Sequence, residues 1–430
     1  MPQSSVPSRN EGDIKMSEAD HARITTLSRV FSPSAPIDTR TLFSGRLSQL
    51  TDVLNAVNQK GQHAILFGER GVGKTSLARV ISSLMGPPDP IESGDPDDKA
   101  DPNGIQVAAI NCDQTTTFQS IWAKLLREIA VVRRMRPSMG FTSAAPQPEV
   151  TRLSEYLPDD AGPEDIRHLF SRMGKTLLVI DELDRVEDKR VTALLADTIK
   201  ALSDHAVDTT LLLVGVADSV DSLIAEHQSV ERALVQVRMP RMSKVELFGI
   251  IDNGLKKAAM TIAGDARQKI ASLSQGLPHY THLLALLAAQ RAAHLGNVEV
   301  RMEDVRAAID SALARAQQTI ISAHHAATNS PRQNLYAQVL LACALAPQDS
   351  LGYFAAVDVR SPLSGIMKRN YDIPAFAQHL NAFCELARGP VLQRIGTPRR
   401  FRFRFVNPLM QPFVIMDGIR KGLITEADVK

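Results

Sequence analysis

Residues 68–75 have the residue types and the spacing of a phosphate-binding loop. They read GERGVGKT, and glycines let the backbone bend so that successive N–H groups point at phosphate oxygens. Lys74 is predicted to reach the β- and γ-phosphates of a bound nucleotide, and the Thr75 hydroxyl to bind Mg²⁺. The alternative is an ordinary glycine turn between a strand and a helix. The predicted phosphate-binding residues are Gly68, Glu69, Arg70, Gly71, Val72, Gly73, Lys74, Thr75 and Ser76.

A pair of acidic residues follows an apolar run in residues 176–184, which read TLLVIDELD. Because ligands of parallel sheets bind at the carboxyl ends of the strands, Asp181 is expected beside Thr75, where it would bind Mg²⁺. Glu182 is placed to deprotonate an attacking water, a role that hydrolysis requires and nucleotide binding alone does not. The alternative is a pair of acids that only ends a strand.

The elements that must position these residues alternate between residues 36 and 242. Short, nearly continuous apolar runs, typical of strands buried on both faces of a parallel sheet, alternate with amphipathic helical patterns. This order predicts a doubly wound α/β domain. The predicted strands are 63–67, 106–111, 176–180, 210–217 and 234–237, and the predicted helices are 76–84, 118–131, 163–173, 191–203 and 219–226.

The rest of the chain divides into three regions. Residues 1–35 are polar and without periodicity, so they are expected to form a flexible tail. Helical patterns predict a helical domain at 243–325, and residues 326–430 are expected to begin helical and to end in a β-hairpin around Gly396. The helical patterns of the middle region cover 244–258, 265–274, 278–294 and 302–323.

Residues 36–325 resemble the AAA+ ATPases, most closely the clade of origin-recognition and replication-initiator ATPases. Bacterial relatives in transposition, secretion and defence are similar, and so are the STAND ATPases. Besides the two motifs above, residues 38–46 (DTRTLFSGR) are similar to the segment that packs near the adenine in this family. The resemblance implies a P-loop sheet with a helical lid, binding and hydrolysis of ATP with Mg²⁺, and a homo-oligomer that forms on ATP binding.

Four further residues take their roles from this resemblance alone. Asp218 follows the fourth strand, where the family has a polar sensor residue; a helix cap is the alternative. Arg232 precedes the fifth strand, where the family's arginine reaches a neighbouring subunit's γ-phosphate; the alternative is a surface ion pair with Glu231. Pro278 and His279 open a helix from which the family's lid contacts the nucleotide; a plain helix start is the alternative.

The C-terminal region carries a basic, alternating pattern. Residues 399–405 read RRFRFRF, which on a strand places rings on one face and arginines on the other. Helices followed by an Arg-rich hairpin resemble a winged-helix domain, which implies contacts with double-stranded DNA. The alternatives are a protein partner, or arginines that only keep an edge strand unpaired. The predicted DNA-contacting residues are Arg399, Arg400, Arg402 and Arg404 on the hairpin and Gln378, His379 and Asn381 on the preceding helix.

Composition narrows the class of protein. The chain has 430 residues, is 44% hydrophobic and carries a formal net charge of +2, which indicates a globular protein with several domains. From residue 331 onward there are 13 basic and 7 acidic residues, so positive charge is concentrated at the C-terminal end. The absence of a long apolar run, of a secretory signal and of paired cysteines predicts a cytoplasmic protein that does not enter a membrane.

Together, these patterns predict an ATP-binding and hydrolysing switch that is coupled to DNA binding. Two alternatives stay open. One is a signalling or defence ATPase whose C-terminal domain binds a protein effector, and the other is a structural switch that binds ATP without hydrolysing it.

Overall fold

The computed structural model describes most of the chain. The described residues are 18–33, 45–86, 105–133, 149–153, 157, 158, 160–217, 220, 223, 224, 230–329, 334–398 and 400–429. Two residues with predicted roles, Asp218 and Arg399, lie outside these ranges, as does most of the segment 38–46.

A five-stranded parallel sheet is the centre of the molecule. Its strands are β1 (His63–Gly68), β2 (Gln106–Asn111), β5 (Thr176–Asp181), β6 (Thr209–Val216) and β7 (Leu234–Arg238), in the order β2-β5-β6-β1-β7. Every residue of β1 and β5 is buried, as expected for strands covered on both faces. Two short strands, β3 (Ala130–Arg133) and β4 (Glu149–Arg152), pair antiparallel outside this sheet. The predicted α/β class is confirmed.

Helices connect the strands of the central sheet. They are α2 (Leu47–Asn58), α3 (Lys74–Met85), α4 (Phe118–Glu128), α5 (Pro163–Phe170) and α6 (Lys189–Asp204). In the pairing register Gly68 lies opposite Val216 and Asn111 lies opposite Asp181, so the carboxyl ends of the strands meet at one edge of the sheet. This edge is where the phosphate loop and the acidic pair were expected to meet.

The region after residue 243 is helical, as predicted, with one interruption. Its helices are α7 (Lys244–Lys257), α8 (Gly264–Ser274), α9 (Pro278–His294), α10 (Met302–Ala314) and α11 (Gln318–Thr328). The single helix expected over 302–323 is wrong, because the chain leaves the helix after Ala314 and begins a new one at Gln318. Two-residue strands, β8 (Thr261–Ile262) and β9 (Glu299–Val300), form a small parallel pair beside these helices.

The expectation of a flexible tail over residues 1–35 is wrong for residues 18–33. Helix α1 (Glu18–Val30) packs on α7 and α9. Leu27 and Phe31 are 0% and 1% exposed, and the Phe31 ring lies so close to Gly254 of α7 that a Cβ there would meet it at 2.3 Å. The few apolar residues of this polar segment lie on one face, and burying that face holds the helix in place.

The C-terminal region begins with helices and contains a basic β-hairpin, as the sequence predicts. Helices α12 (Tyr336–Leu345), α13 (Ala356–Met367) and α14 (Ile373–Ala382) precede a hairpin of β11 (Leu392–Ile395) and β12 (Arg402–Phe405). A short strand β10 (Phe354–Ala355) pairs with the other side of β12, and helix α15 (Met410–Arg420) follows. Because β12 is the middle strand of this sheet, the edge-strand explanation of its arginines is wrong.

No helix in the described parts of the chain combines the length and the apolar character needed to cross a membrane.

Candidate nucleotide-binding site

A cavity of about 880 Å³ lies at the carboxyl edge of the central sheet, and its volume is typical of a site for a small molecule. Four parts of the chain line it: the N-terminal segment through Ser32 and Pro33, the α/β domain, the helical region, and the C-terminal region through Val406 and Leu409. The predicted residues that line it are Arg70, Gly71, Gly73, Lys74, Thr75, Ser76, Asp181, Glu182, Pro278 and His279. Gly68, Glu69 and Val72 belong to the same loop but do not line the cavity.

The phosphate loop turns from β1 into helix α3. Gly73 caps this helix with φ 95°, in the left-handed region that favours glycine, and the helix begins at Lys74. The unpaired N–H groups of a helix N-terminus, together with its partial positive charge, form a site for anions. The loop therefore offers a triphosphate both hydrogen-bond donors and a positive field.

The Lys74 side chain is buried in this site. It is 7% exposed, and its Nζ donates to the carbonyl oxygens of Gly68 (3.1 Å) and Glu69 (2.9 Å). Burial lowers the pKa of Lys74 to about 8, although the charges of Asp184 and Asp181 act in the opposite direction. A triphosphate beside this side chain would favour the charged ammonium form of Lys74, which burial alone disfavours.

We expect ATP binding to weaken as the pH rises above 8. The Lys74 pKa of about 8 lies below the ordinary 10.5, so above pH 8 the free protein holds a mostly neutral amine and must take up a proton to bind the triphosphate. The affinity should then fall by up to about tenfold per pH unit above 8, and stay level below it. Calorimetric titration at pH 7 to 9.5 checks this; equal affinity across that range would contradict it, and a Lys74→Met control should lose the pH dependence.

Thr75 and Asp181 meet at the position expected for Mg²⁺. The Thr75 hydroxyl donates a hydrogen bond to the Asp181 carboxylate, which also accepts from the Glu182 amide at 2.7 Å. Burial raises the pKa of Asp181. One hydroxyl and one carboxylate suit Mg²⁺, since this ion keeps several waters and binds substrate phosphates, whereas no cluster of three acidic, histidine or cysteine ligands occurs among the described residues.

Glu182 lines the cavity in a conformation that is unusual for its residue type. Its φ is 56°, in the left-handed region, and such backbone strain clusters at functional sites. Its side chain is 44% exposed, and Oε2 accepts a hydrogen bond from Nη1 of Arg185 at 3.0 Å. The carboxylate therefore faces a solvent-filled site, as a group that activates water must.

Asp184 is a site residue that the sequence interpretation missed. It lines the cavity, and its Oδ1 accepts a hydrogen bond from the Val216 amide at 2.7 Å, which ties the end of β6 to the segment after β5. The negative charge of Asp184 raises the pKa of Lys74 more than the negative charge of Asp181 does. The signal was present as the third acid of DELD, but its partner lies 32 residues away.

Pro278 and His279 lie where the resemblance implies that the lid meets the nucleotide. Both line the cavity at the start of α9. The His279 Nδ1 donates to the Pro33 carbonyl oxygen at 2.7 Å, and burial lowers the pKa of this imidazole. His279 therefore holds the segment after α1 against the lid.

A hydrogen-bonded network that no sequence pattern indicates connects the phosphate loop to the C-terminal region. The Glu69 carboxylate accepts two hydrogen bonds from Arg241, at 2.7 and 2.9 Å. Arg241 also donates to the Gln411 side chain at 2.5 Å and to the Gln275 carbonyl oxygen at 3.2 Å. Gln411 is 1% exposed and donates to the carbonyl oxygen of Ala344. Four segments of the chain therefore meet at one arginine.

Arg232 is not brought into this cavity. It is exposed and lies just before β7, at the amino edge of the sheet, whereas the phosphate loop lies at the carboxyl edge. The described structure therefore gives Arg232 no contact with its own chain's nucleotide site. Asp218, the predicted sensor residue, lies outside the described residues.

The predicted DNA-contacting residues occupy different environments. Arg400 is exposed, Arg402 pairs with Asp349 at 2.9 Å while 46% exposed, and Arg404 lies 4.7 Å from the centre of the Tyr353 ring. On α14, Gln378 and Asn381 are exposed. The prediction that His379 contacts DNA is wrong.

The His379 side chain is 6% exposed because its ring packs against Tyr336, with 4.7 Å between the ring centres. A side chain in this position cannot face a base. The sequence pattern placed His379 beside Gln378 on the helix, but the ring turns inward with Phe376 and Leu380.

Comparisons with known proteins agree with this site. The AAA ATPase domain family (AAA_16) matches residues 44–214. A search of proteins with curated descriptions returned no match.

Solved structures similar to this chain include Cdc6p from Pyrobaculum aerophilum (18% identity, TM-score 0.44, covering 92% of this chain and 99% of that one). The Aeropyrum pernix ORC2 protein is similar with 13% identity and a TM-score of 0.47, over 92% of this chain and 98% of that one. A Walker-type ATPase of Pyrococcus abyssi is similar with 14% identity and a TM-score of 0.49, over 90% of this chain and 99% of that one. Residues 44–214, which hold the phosphate loop and the acidic pair, are similar to the AAA ATPase domain family.

Proposed function

We propose that this protein binds and hydrolyses ATP and that its nucleotide state controls DNA binding by the C-terminal region. The observation that carries the proposal is the composition of the cavity wall. Val406 and Leu409, which immediately follow the basic hairpin, line the same cavity as Lys74. A nucleotide in this cavity would therefore touch the segment that joins the hairpin to α15.

In the proposed ATP complex, the loop amides and Lys74 neutralise the triphosphate, while Thr75 and Asp181 hold Mg²⁺. Mg²⁺ held by these residues would offset part of the negative charge of the phosphates. Glu182 accepts the proton of the attacking water, and to do so it releases Arg185. Asp184 keeps the end of β6 in place beside these groups.

The network around Arg241 supports coupling between the site and the C-terminal region. A change in the loop conformation on ATP binding would move Glu69, and Glu69 is bonded to Arg241 and through it to Gln411 of α15. Because Glu69 and Gln411 are both nearly buried, leaving either without its partner would be unfavourable. Loop movement and movement of α15 are therefore expected to occur together.

Arg232 is proposed to act on a neighbouring copy. Its exposed position at the amino edge of the sheet leaves it free of its own cavity. An arginine beside the γ-phosphate of the next subunit would stabilise the negative charge of the transition state. This role requires that ATP favours assembly of several copies.

The proposed DNA-contacting surface is the hairpin face with Arg400, Arg402 and Arg404, together with Gln378 and Asn381 of α14. Its positive charges would bind phosphates and release counterions. We expect a variant with all three arginines changed to Glu to bind duplex DNA at least about 100-fold more weakly, with a salt slope smaller by about 3, because each lost phosphate contact lowers the slope by roughly one. Fluorescence anisotropy of a labelled duplex at 50 to 200 mM salt, with ATP and with ADP, measures both effects.

A matched control changes Arg172, Lys189 and Arg190 to Glu. All three are exposed on the α/β domain, and the change in net charge is the same. The control should bind DNA nearly as the wild type does. If wild type binds no duplex at low salt, or if both variants weaken binding equally, the DNA part of the proposal fails.

A protein partner for the C-terminal region is the second candidate. The observation in its favour is that two large apolar side chains are exposed in this region, Leu386 (88%) just before the hairpin and Ile395 (44%) on its strand β11. Large exposed apolar side chains near a charged surface are typical of protein interfaces. The absence of DNA binding in the experiment above would favour this candidate.

A further inference from the structure

His282 is a buried imidazole without a hydrogen-bond partner, and it lies in the wall of the nucleotide cavity. Its side chain is 4% exposed, and neither Nδ1 nor Nε2 has a partner. Among the described residues it is the only side chain with two such atoms. Buried polar groups are nearly always paired in native proteins, so an unpaired one calls for an explanation.

The surroundings of His282 fit a flat aromatic ring. On α9, His282 lies one turn after Pro278, so both side chains are on the same face of the helix. Pro33 and Ile250 line the cavity beside them, and the edge of the Phe31 ring lies against the imidazole with 5.9 Å between ring centres. Because these neighbours are largely apolar, the surroundings of the polar His282 ring suit a nucleotide base better than a phosphate.

The charge state of His282 also fits a base. Burial lowers its pKa to about 4, so the ring is neutral at physiological pH. A neutral imidazole has one donor and one acceptor nitrogen, whereas a base edge carries donors and acceptors side by side. Lys74 and the loop amides are available to the phosphates. Two other polar side chains of the cavity wall, Arg46 and His279, already donate to backbone carbonyl oxygens, which leaves the His282 ring for the base.

We propose that His282 recognises the base of the bound nucleotide. One nitrogen of its imidazole ring would donate a hydrogen bond to the base or accept one from it. This inference rests on the proposed function, because it requires ATP in this cavity. It assigns His282 a part in base specificity.

The test compares ATP with inorganic tripolyphosphate, which has the phosphates but no base. For His282→Leu, we expect calorimetry to show about tenfold weaker ATP binding and unchanged tripolyphosphate binding, because one buried hydrogen bond is lost. His282→Gln, which keeps a donor and an acceptor, should retain most of the affinity. The unfolding temperature of nucleotide-free His282→Leu should not fall, because the change removes an unpaired polar group from the interior.

A measurement on the wild type does not depend on whether the leucine variant folds. The ¹⁵N resonances of the His282 ring, assigned by their loss in His282→Gln, should shift on addition of ATP and not of tripolyphosphate. His379→Leu is the matched control, since His379 is also buried with an unpaired ring nitrogen but does not line the cavity. It should bind ATP as the wild type does.

Two results would overturn the inference and leave the proposed function intact: equal losses for ATP and tripolyphosphate in His282→Leu, or ATP binding without any change in the His282 resonances. If the wild type binds no ATP, the proposed function itself fails, and the inference fails with it.

Discussion

A Glu182→Gln variant is expected to release phosphate from ATP at least about 100-fold more slowly than the wild type while still binding ATP, since a general base typically contributes between 10²- and 10⁴-fold. Glutamine has the size of glutamate but cannot accept the proton of the attacking water. Binding should persist because the groups that hold the triphosphate, Lys74 and the loop amides, are unchanged. Phosphate release under excess ATP, with ATP affinity measured separately, checks both parts.

Glu187→Gln is the matched control for this variant. Glu187 is exposed five residues further along the chain, bonds to Gln114 and does not line the cavity. The same chemical change there should leave turnover at the wild-type level. If Glu182→Gln hydrolyses ATP normally, Glu182 is not the base; if the wild type also fails to hydrolyse, the chain is the structural switch that binds ATP without turnover.

The sequence predicted the elements whose signals are local. All five strands of the central sheet occur within one or two residues of their predicted positions, because strands buried on both faces need continuous apolar runs. The loop at 68–75 and the pair Asp181 and Glu182 carry their chemistry in consecutive residues, so their meeting at one sheet edge followed from the parallel order of the strands.

The parts that the sequence did not predict depend on contacts between distant segments. Arg241 meets Glu69 across 172 positions and Gln411 across 170, and each of these residues alone looks like an ordinary polar residue. The polar composition of residues 18–30 predicts a tail, because the few apolar residues of helix α1 are significant only where they pack against α7 and α9. Helical spacing predicts the wrong face for His379, because it does not show whether a partly polar ring faces the core or the solvent.

The second large effect is expected from Lys74→Ala. The ammonium group is the charged donor of the loop, and its hydrogen bonds to charged phosphates contribute about 3 kcal/mol in total, so ATP affinity should fall by on the order of 100-fold. The fold should survive, because the change removes a buried charge that burial already disfavours. Thermal unfolding without nucleotide checks this point.

Lys175→Ala provides the comparison for a lysine outside the site. Its Nζ bonds to Asn58 at 2.6 Å, at the amino edge of the sheet and away from the cavity. This variant should bind ATP as the wild type does, which would separate the loss of one lysine from the loss of this particular lysine.

Calorimetric titration of Mg-ATP into the wild type and into Lys74→Ala tests the nucleotide site most directly. Saturable binding to one site in the wild type, weakened by on the order of 100-fold in a variant that is still folded, is the result that we expect. Equal affinity of the two proteins would mean that the cavity at the end of the central sheet is not where the triphosphate binds.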